Sequence, residues 1–279
     1  MYVILLLCLL LRAETTMTAA SAACRLFVTA VLPGLFPYMV ISLMLASRVK
    51  RLRPGLVQLL GWGGGSPAGA RLIPLCPGLM RRAQVRLAVS CATMSPMFLL
   101  GTIGGWLQSS WAGAACLISV VAGGWLTGEI AGLCSRSAPI SPPQEDASSP
   151  QGGALETLSF GIAVEQSART MLLVCGTMVM LRVFAALAAD ILPNGLILPV
   201  TTLLEVTTGT SAIAALPLPL ALRTALIAGA CGFGGVAILM QNRAVLGADF
   251  MPLGVQLAFQ ALHGLFSFLI ALGLMLLIG

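Results

Sequence analysis

The sequence predicts an all-α integral membrane protein, with about six spanning helices and two re-entrant hairpins arranged as an inverted repeat with discontinuous helices. Three observations carry that prediction. Hydrophobic residues make up 58% of the 279 positions and charged residues only 9%, against about 25% charged in a soluble domain; mean hydropathy is +1.00. The basic residues gather in some inter-span loops and avoid others. Two glycine-rich interruptions fall in corresponding positions of the two halves of the chain.

Taken in order, Val3 to Leu11 is apolar but short, and Arg12 and Glu14 follow. About 20 residues are needed to span a bilayer, so residues 1–25 are expected to form a separate N-terminal apolar segment, an incomplete or tilted helix. The small residues Ala19 to Ala23 leave a signal-peptide reading open, although no Lys or Arg precedes the apolar run. Leu26 to Ala46 carries no charge and is long enough to cross, interrupted by Pro33 and Pro37. Gly55 to Gly78 contains the run Gly61-Trp62-Gly63-Gly64-Gly65-Ser66-Pro67-Ala68-Gly69-Ala70-Arg71, with five glycines and a proline in eleven residues. Glycine costs about 1 kcal/mol and proline about 3 kcal/mol relative to alanine inside a helix, so the run is expected to break into a re-entrant hairpin. Ala88 to Leu107 is a span broken at Thr93-Met94-Ser95-Pro96, and Trp111 to Leu133 returns.

A Pro/Ser-rich linker over 134–153 divides the first repeat (26–133) from the second (154–279). The second repeat opens with an amphipathic helix, Leu155 to Gln166, before a span over Met171 to Ala189 that contains Arg182. Leu196 to Leu218 is the second hairpin, its centre polar with Glu205, Thr207 and Thr208. Thr224 to Asn242 crosses with the interruption Gly229-Ala230-Cys231-Gly232-Phe233-Gly234-Gly235 inside it, and Met251 to Ile278 crosses last. Expected cytoplasmic loops hold Arg48, Lys50, Arg51, Arg53, Arg81, Arg82, Arg86, Arg136 and Arg243, while the opposite loops hold none; that asymmetry sets the orientation.

Broken backbone at membrane depth survives only where protein buries it or where it lines a cavity, and paired interruptions in oppositely oriented halves point to a midplane substrate site. The candidate substrate-binding residues are therefore Gly65, Ser66, Pro67, Gly69, Arg71, Thr93, Ser95, Pro96, Glu205, Thr207, Thr208, Gly234 and Gly235. Arg71 suits a carboxylate, which a guanidinium grips with two parallel bonds; the alternative is an arginine that snorkels to the interface. Glu205 is an intramembrane acid, a candidate for ion coupling, for proton transfer or for pairing with Arg223 or Arg182. Glu165 and Arg169 are spaced to pair along one helix, Glu129 reads as interfacial, and Gln256, Gln260 and His263 form a polar stripe that bonds across to neighbouring helices. For the glycine runs the alternative to a site is close helix packing. The eight cysteines are scattered without a metal-ligand or disulfide pattern, no hydrolase, nucleotide or metal motif is present, and the net charge of +6 follows loop placement rather than a nucleic-acid face. The expected partners are the lipid bilayer and a small solute; no cofactor and no enzymatic activity are expected.

Leu32-Pro33-Gly34-Leu35-Phe36-Pro37-Tyr38, Gly65-Ser66-Pro67-Ala68-Gly69-Ala70-Arg71, Met94-Ser95-Pro96-Met97-Phe98, Leu204-Glu205-Val206-Thr207-Thr208-Gly209 and Gly232-Phe233-Gly234-Gly235 follow one another in an order that resembles one family. It is the sporulation integral membrane proteins of the YlbJ/SpoVV type, with the nucleoside recognition Gate domain. The resemblance covers about residues 26–250. It implies a polytopic protein of an endospore-forming bacterium that moves dipicolinate across the outer forespore membrane. This chain departs from the family pattern at Ser66, where an aromatic is usual, at Arg71, where lysine is usual, and at Phe233, where tryptophan is usual. Two other functions fit the same architecture: a carrier of nucleosides or another small solute, and a non-transporting membrane scaffold of sporulation.

Overall fold

The computed structural model describes residues 2–49, 52–76, 78–135 and 158–278. Lys50, Arg51, Pro77, Arg136, the remainder of the linker and residues 154–157 lie outside them. The described residues form helices and connecting turns, with no strand. Five helical runs among them are long and apolar enough to cross a membrane: Ala13–Arg48, Ser110–Cys134, Phe160–Ala189, Leu220–Leu246 and Leu253–Leu277. This is the architecture of a multi-pass membrane protein. Burial agrees with that environment: Leu172 and Leu276 are 74% and 69% exposed, while Ser119, Thr127 and Ser267 are wholly buried.

The first half begins with α1 (Tyr2–Leu11) and α2 (Ala13–Leu26), which passes through a π-helical turn at Phe27–Val31 into α3 (Leu32–Arg48). The expected boundary at residue 25 therefore lies inside one 36-residue helical run. Pro33 lacks an N–H and crowds the carbonyl four residues earlier; the wider turn just before it accommodates both effects and the helix continues. Next come α4 (Pro54–Gly64) and α5 (Ala68–Leu72), then α6 (Arg81–Ser90). The expected span over Ala88–Leu107 is not one helix: the chain leaves helical geometry after Ser90, resumes it at Pro96, passes through a π-helical turn at Phe98–Ile103, and finishes in α7 (Gly104–Trp106). The run α8 (Ser110–Cys134) is capped by Ser109, whose Oγ accepts from the Ala112 amide at 3.2 Å.

The second half opens with α9 (Phe160–Ala189), capped by Ser159. A separate amphipathic helix before Met171 is not formed. No proline interrupts 160–189, and the Glu165–Arg169 pair at 2.8 Å supports the helix across the expected junction. Then follow α10 (Asn194–Leu204), α11 (Val206–Ala214), α12 (Leu220–Phe233), α13 (Gly235–Leu246) and α14 (Leu253–Ile278). Pro193, Pro219 and Pro252 immediately precede α10, α12 and α14, positions where the missing N–H leaves no helical bond unmade.

Two packing units position the rest. In one, α8, α12 and α14 approach closely over small residues. A β-carbon on Gly229 would lie 3.1 Å from Phe268 Cβ, and one on Gly264 would lie 2.9 Å from the Gly229 carbonyl. In the other, α2 and α3 run antiparallel to α9. Arg12 pairs with Asp190 at 3.4 Å at one end, and the Leu158 amide donates to Ser47 Oγ at 3.2 Å at the other. Between those ends Phe27, Leu35, Met39, Ala68, Met171, Val174 and Met178 form a buried apolar cluster.

Candidate functional site

The glycine-rich run Gly61–Arg71 breaks at one point only. Gly61, Gly63 and Gly64 continue α4, and Gly65 leaves it in left-handed backbone at φ +68°. A β-carbon there would sit 2.5 Å from the Ser95 amide nitrogen and 2.9 Å from the Thr93 carbonyl oxygen, so both the conformation and the space require glycine. The next peptide, Ser66–Pro67, is cis. The Ser66 amide donates to the Thr93 carbonyl at 2.7 Å, which seats the first interruption on the second, Thr93–Pro96. Ser95 Oγ accepts from the Phe98 amide at 3.3 Å and starts the π-helical turn. Gly69 lies in α5, where a β-carbon would meet Gly61 Cα at 3.0 Å; its role is close packing.

The second half repeats this arrangement with different chemistry. Glu205 stands in extended backbone between α10 and α11 and caps the latter. Its Oε1 accepts from the Thr207 amide at 2.9 Å and its Oε2 from the Thr208 amide at 2.7 Å. No carboxylate–arginine pair to Arg223 or Arg182 forms among the described residues. Arg223 donates instead to the Ala214 carbonyl at 2.6 Å. The interruption expected over Gly229–Gly235 narrows to Gly234 and Gly235, at φ +77° and +72°, because Gly229 and Gly232 remain helical and pack against α14. A β-carbon on Gly235 would lie 3.1 Å from the Leu203 carbonyl and 3.4 Å from that of Thr202. The free carbonyls that end α10 thus converge on the start of α13.

Each half therefore seats a break between two short helices on a break in a longer helical run. The halves meet through Ser66, whose Oγ donates to Asn242 Oδ1 at 2.6 Å. They also meet through Arg71, whose Nη1 donates to the Gln166 carbonyl at 2.7 Å and to Thr170 Oγ1. Around the breaks the packing is close: Phe98, Val206 and Ile238 belong to one buried cluster, and the wholly buried Thr93 hydroxyl has no partner among the described residues.

Among the candidate residues, Arg71, Thr208 and Pro96 line cavities, each a different one. Arg71 faces a cavity of about 330 Å³ with Gln166, Arg169, Thr170 and Ala244. Thr208 faces a groove of about 870 Å³ between α2, α9 and α11. Pro96 borders a shallow apolar depression of about 550 Å³ beside Trp62 and Trp125. The first two open at different levels along α9, and the Phe27–Met178 apolar cluster lies between those levels.

Sequence reasoning missed Arg25, which lines the groove. The signal was available: Thr18, Ser21, Arg25 and Thr29 recur at spacings of three and four, a polar stripe on one helix face. Elsewhere Glu129 pairs with Arg86 at 3.1 Å. Of the polar stripe, His263 Nε2 lies 2.9 Å from the Val120 carbonyl and Gln256 accepts from Arg243 at 3.4 Å, both across to neighbouring helices as expected, whereas the buried Gln260 Oε1 has no partner among the described residues. No family model, no curated protein and no solved structure matches the chain.

Proposed function

We propose that the protein is a non-enzymatic membrane carrier of the sporulation YlbJ/SpoVV Gate type that moves a small organic anion, with dipicolinate as the substrate the resemblance implies and the outer forespore membrane as its place. In this reading α4–α5 and α10–α11 are re-entrant hairpins. Six spans are made by α2–α3, α6–α7, α8, α9, α12–α13 and α14. Each half then runs span, hairpin, broken span, span, in opposite orientations, the plan of many secondary transporters.

The observation that supports this most is the pair of arginine-bearing cavities at two levels of α9 with an apolar cluster between them. Arg71 uses only Nη1 for its two protein bonds, which leaves donors of its planar fork for a carboxylate. A planar dicarboxylate is suited to successive guanidiniums, since each grips one end. Methionine side chains, flexible and polarisable, suit a barrier that must part and reseal, and π-helical turns such as Phe27–Val31 occur frequently at functional sites.

One observation favours a non-transporting scaffold instead. Glu205 spends both carboxylate oxygens on its own helix cap, and Gly235 is closed in by α10 carbonyls. Uptake into proteoliposomes decides between the two. With labelled dipicolinate and a labelled nucleoside offered separately, the parent takes up the dicarboxylate, and Arg71→Gln lowers the rate at least ~10-fold, the scale of losing one charge-assisted bidentate contact. Nucleoside uptake alone would move the substrate to the Gate-type nucleoside class, and uptake of neither would leave the scaffold.

A further inference from the structure

We propose that Arg25 and Arg182 form an oxyanion-binding site in the groove between α2, α9 and α11, one that takes a carboxylate or phosphate group. Arg25 on α2 and Arg182 on α9 line the same groove of about 870 Å³, together with Thr18, Ser21, Thr208 and Ser211.

The acids nearby are committed elsewhere. The ion pairs among the described residues use Arg12, Arg86 and Arg169. Asp190, near the C-terminal end of α9, is taken by Arg12, and Glu205 accepts from the Thr207 and Thr208 amides. Two guanidiniums thus share one space that no carboxylate of the described chain neutralises.

Their positions along the two helices bring both arginines to the same end of the antiparallel pair. Arg25 is thirteen residues along the helical run from Arg12, ~20 Å at 1.5 Å per residue. Arg182 is eight residues before Asp190, ~12 Å by the same rise. Arg182 therefore lies inside the apolar run Met171–Ala189, and Arg25 stands immediately before the uncharged run Leu26–Ala46. A charge inside an apolar run, as Arg182 is, is expensive and marks a candidate for a pathway or binding site.

The hydroxyls point the same way. Many helical Ser and Thr side chains bond back to a carbonyl one turn earlier, as Thr29, Ser119, Thr127, Thr210, Thr224 and Ser267 do, although Ser167 does not. The hydroxyls of Thr18, Ser21, Thr208 and Ser211 make no such bond among the described residues. Four donors without intrahelical acceptors beside two guanidiniums complement an oxyanion, whose several lone pairs accept from both kinds of donor. A soluble organic anion and a phospholipid headgroup share this chemistry.

The test uses the full chain in nanodiscs of phosphatidylcholine, titrated calorimetrically with phthalate and, separately, with inorganic phosphate. Saturable binding is expected, weakened at least ~10-fold by Arg25→Gln or by Arg182→Gln and abolished in the double variant, while Arg82→Gln on α6 leaves it unchanged. Should the double glutamine variant fail to fold, Arg25→Lys/Arg182→Lys keeps both charges and is expected to bind several-fold more weakly than the parent. If neither soluble anion binds, phosphatidylglycerol retained through purification by the parent and lost from the arginine variants identifies the lipid headgroup as the occupant. No soluble or lipid anion bound, or binding indifferent to the arginine substitutions, overturns the proposal. Because binding is read without transport, a protein that binds but does not carry keeps this site and loses only the carrier reading.

Discussion

The breaks at Gly65–Pro67 and at Glu205 occupy equivalent places in the two halves, yet they dispose of their polar groups in opposite ways. The first spends them outward: Ser66 reaches Asn242, and nearby Arg71 reaches Gln166 and Thr170, all in the other half. The second spends them inward, since Glu205 caps α11, the helix it directly precedes. A broken helix must satisfy its freed backbone groups somewhere. Where the loop supplies a carboxylate of its own, the break is self-contained. Where it supplies glycine, serine and proline, its backbone borrows the Thr93 carbonyl from a neighbouring break, and the side chains of Ser66 and Arg71 are left to join the halves.

Substitutions can break that contrast, and the largest effect belongs to the self-contained side. Glu205→Leu strands two buried amides without acceptors, a loss of about 4 kcal/mol at the usual cost per unmade buried bond. Glu205→Gln, which keeps an acceptor, loses less. Unfolding titrations in mixed micelles measure both. On the borrowing side, Gly65→Ala adds a β-carbon to left-handed backbone at about 1–2 kcal/mol and presses it onto the Ser95 amide. With overpacking the total is about 3 kcal/mol. Gly235→Ala meets carbonyl oxygens at a looser 3.1 Å and loses about 1–2 kcal/mol for its conformation, so the same titration should rank it below Gly65→Ala. The smallest effect is Ser66→Ala, which removes one bond between the halves at about 1 kcal/mol. Equal losses at Gly65 and Gly235 would erase the contrast.

Much of this was legible in the residues. Composition alone sets the membrane class. Gly65-Ser66-Pro67, Thr93–Pro96, Glu205 and Gly234-Gly235 mark real departures from helix, because proline and consecutive glycines act through the local backbone. What could not be read locally is which glycines bend and which pack. Gly61, Gly229 and Gly232 look like Gly65 in sequence, and only the neighbours Cys91, Phe268 and Ser267 distinguish them. The π-helical turn that carries the chain past Pro33 was equally hidden, and with it the continuity of α2 into α3. The boundary expected at residue 25 cuts through the stripe of Thr18, Ser21, Arg25 and Thr29, although its spacing is present in the sequence. The capping role of Glu205 was obscured because an acid among apolar residues invites an ion-pair reading before a backbone one.

The most direct test of the carrier account is the accessibility of the two arginine-bearing cavities from opposite membrane faces. With Cys8, Cys24, Cys134 and Cys175 replaced, single cysteines at Ala244, in the Arg71 cavity, and at Ala212, in the groove of Arg25 and Arg182, are challenged with a membrane-impermeant thiol reagent. Val174→Cys, in the apolar cluster between the two levels, is the internal reference. The account predicts labelling of Ala244→Cys from the cytoplasmic side, of Ala212→Cys from the opposite side, and of Val174→Cys from neither. Labelling of both cavity positions from one face, or of neither from any, would contradict it.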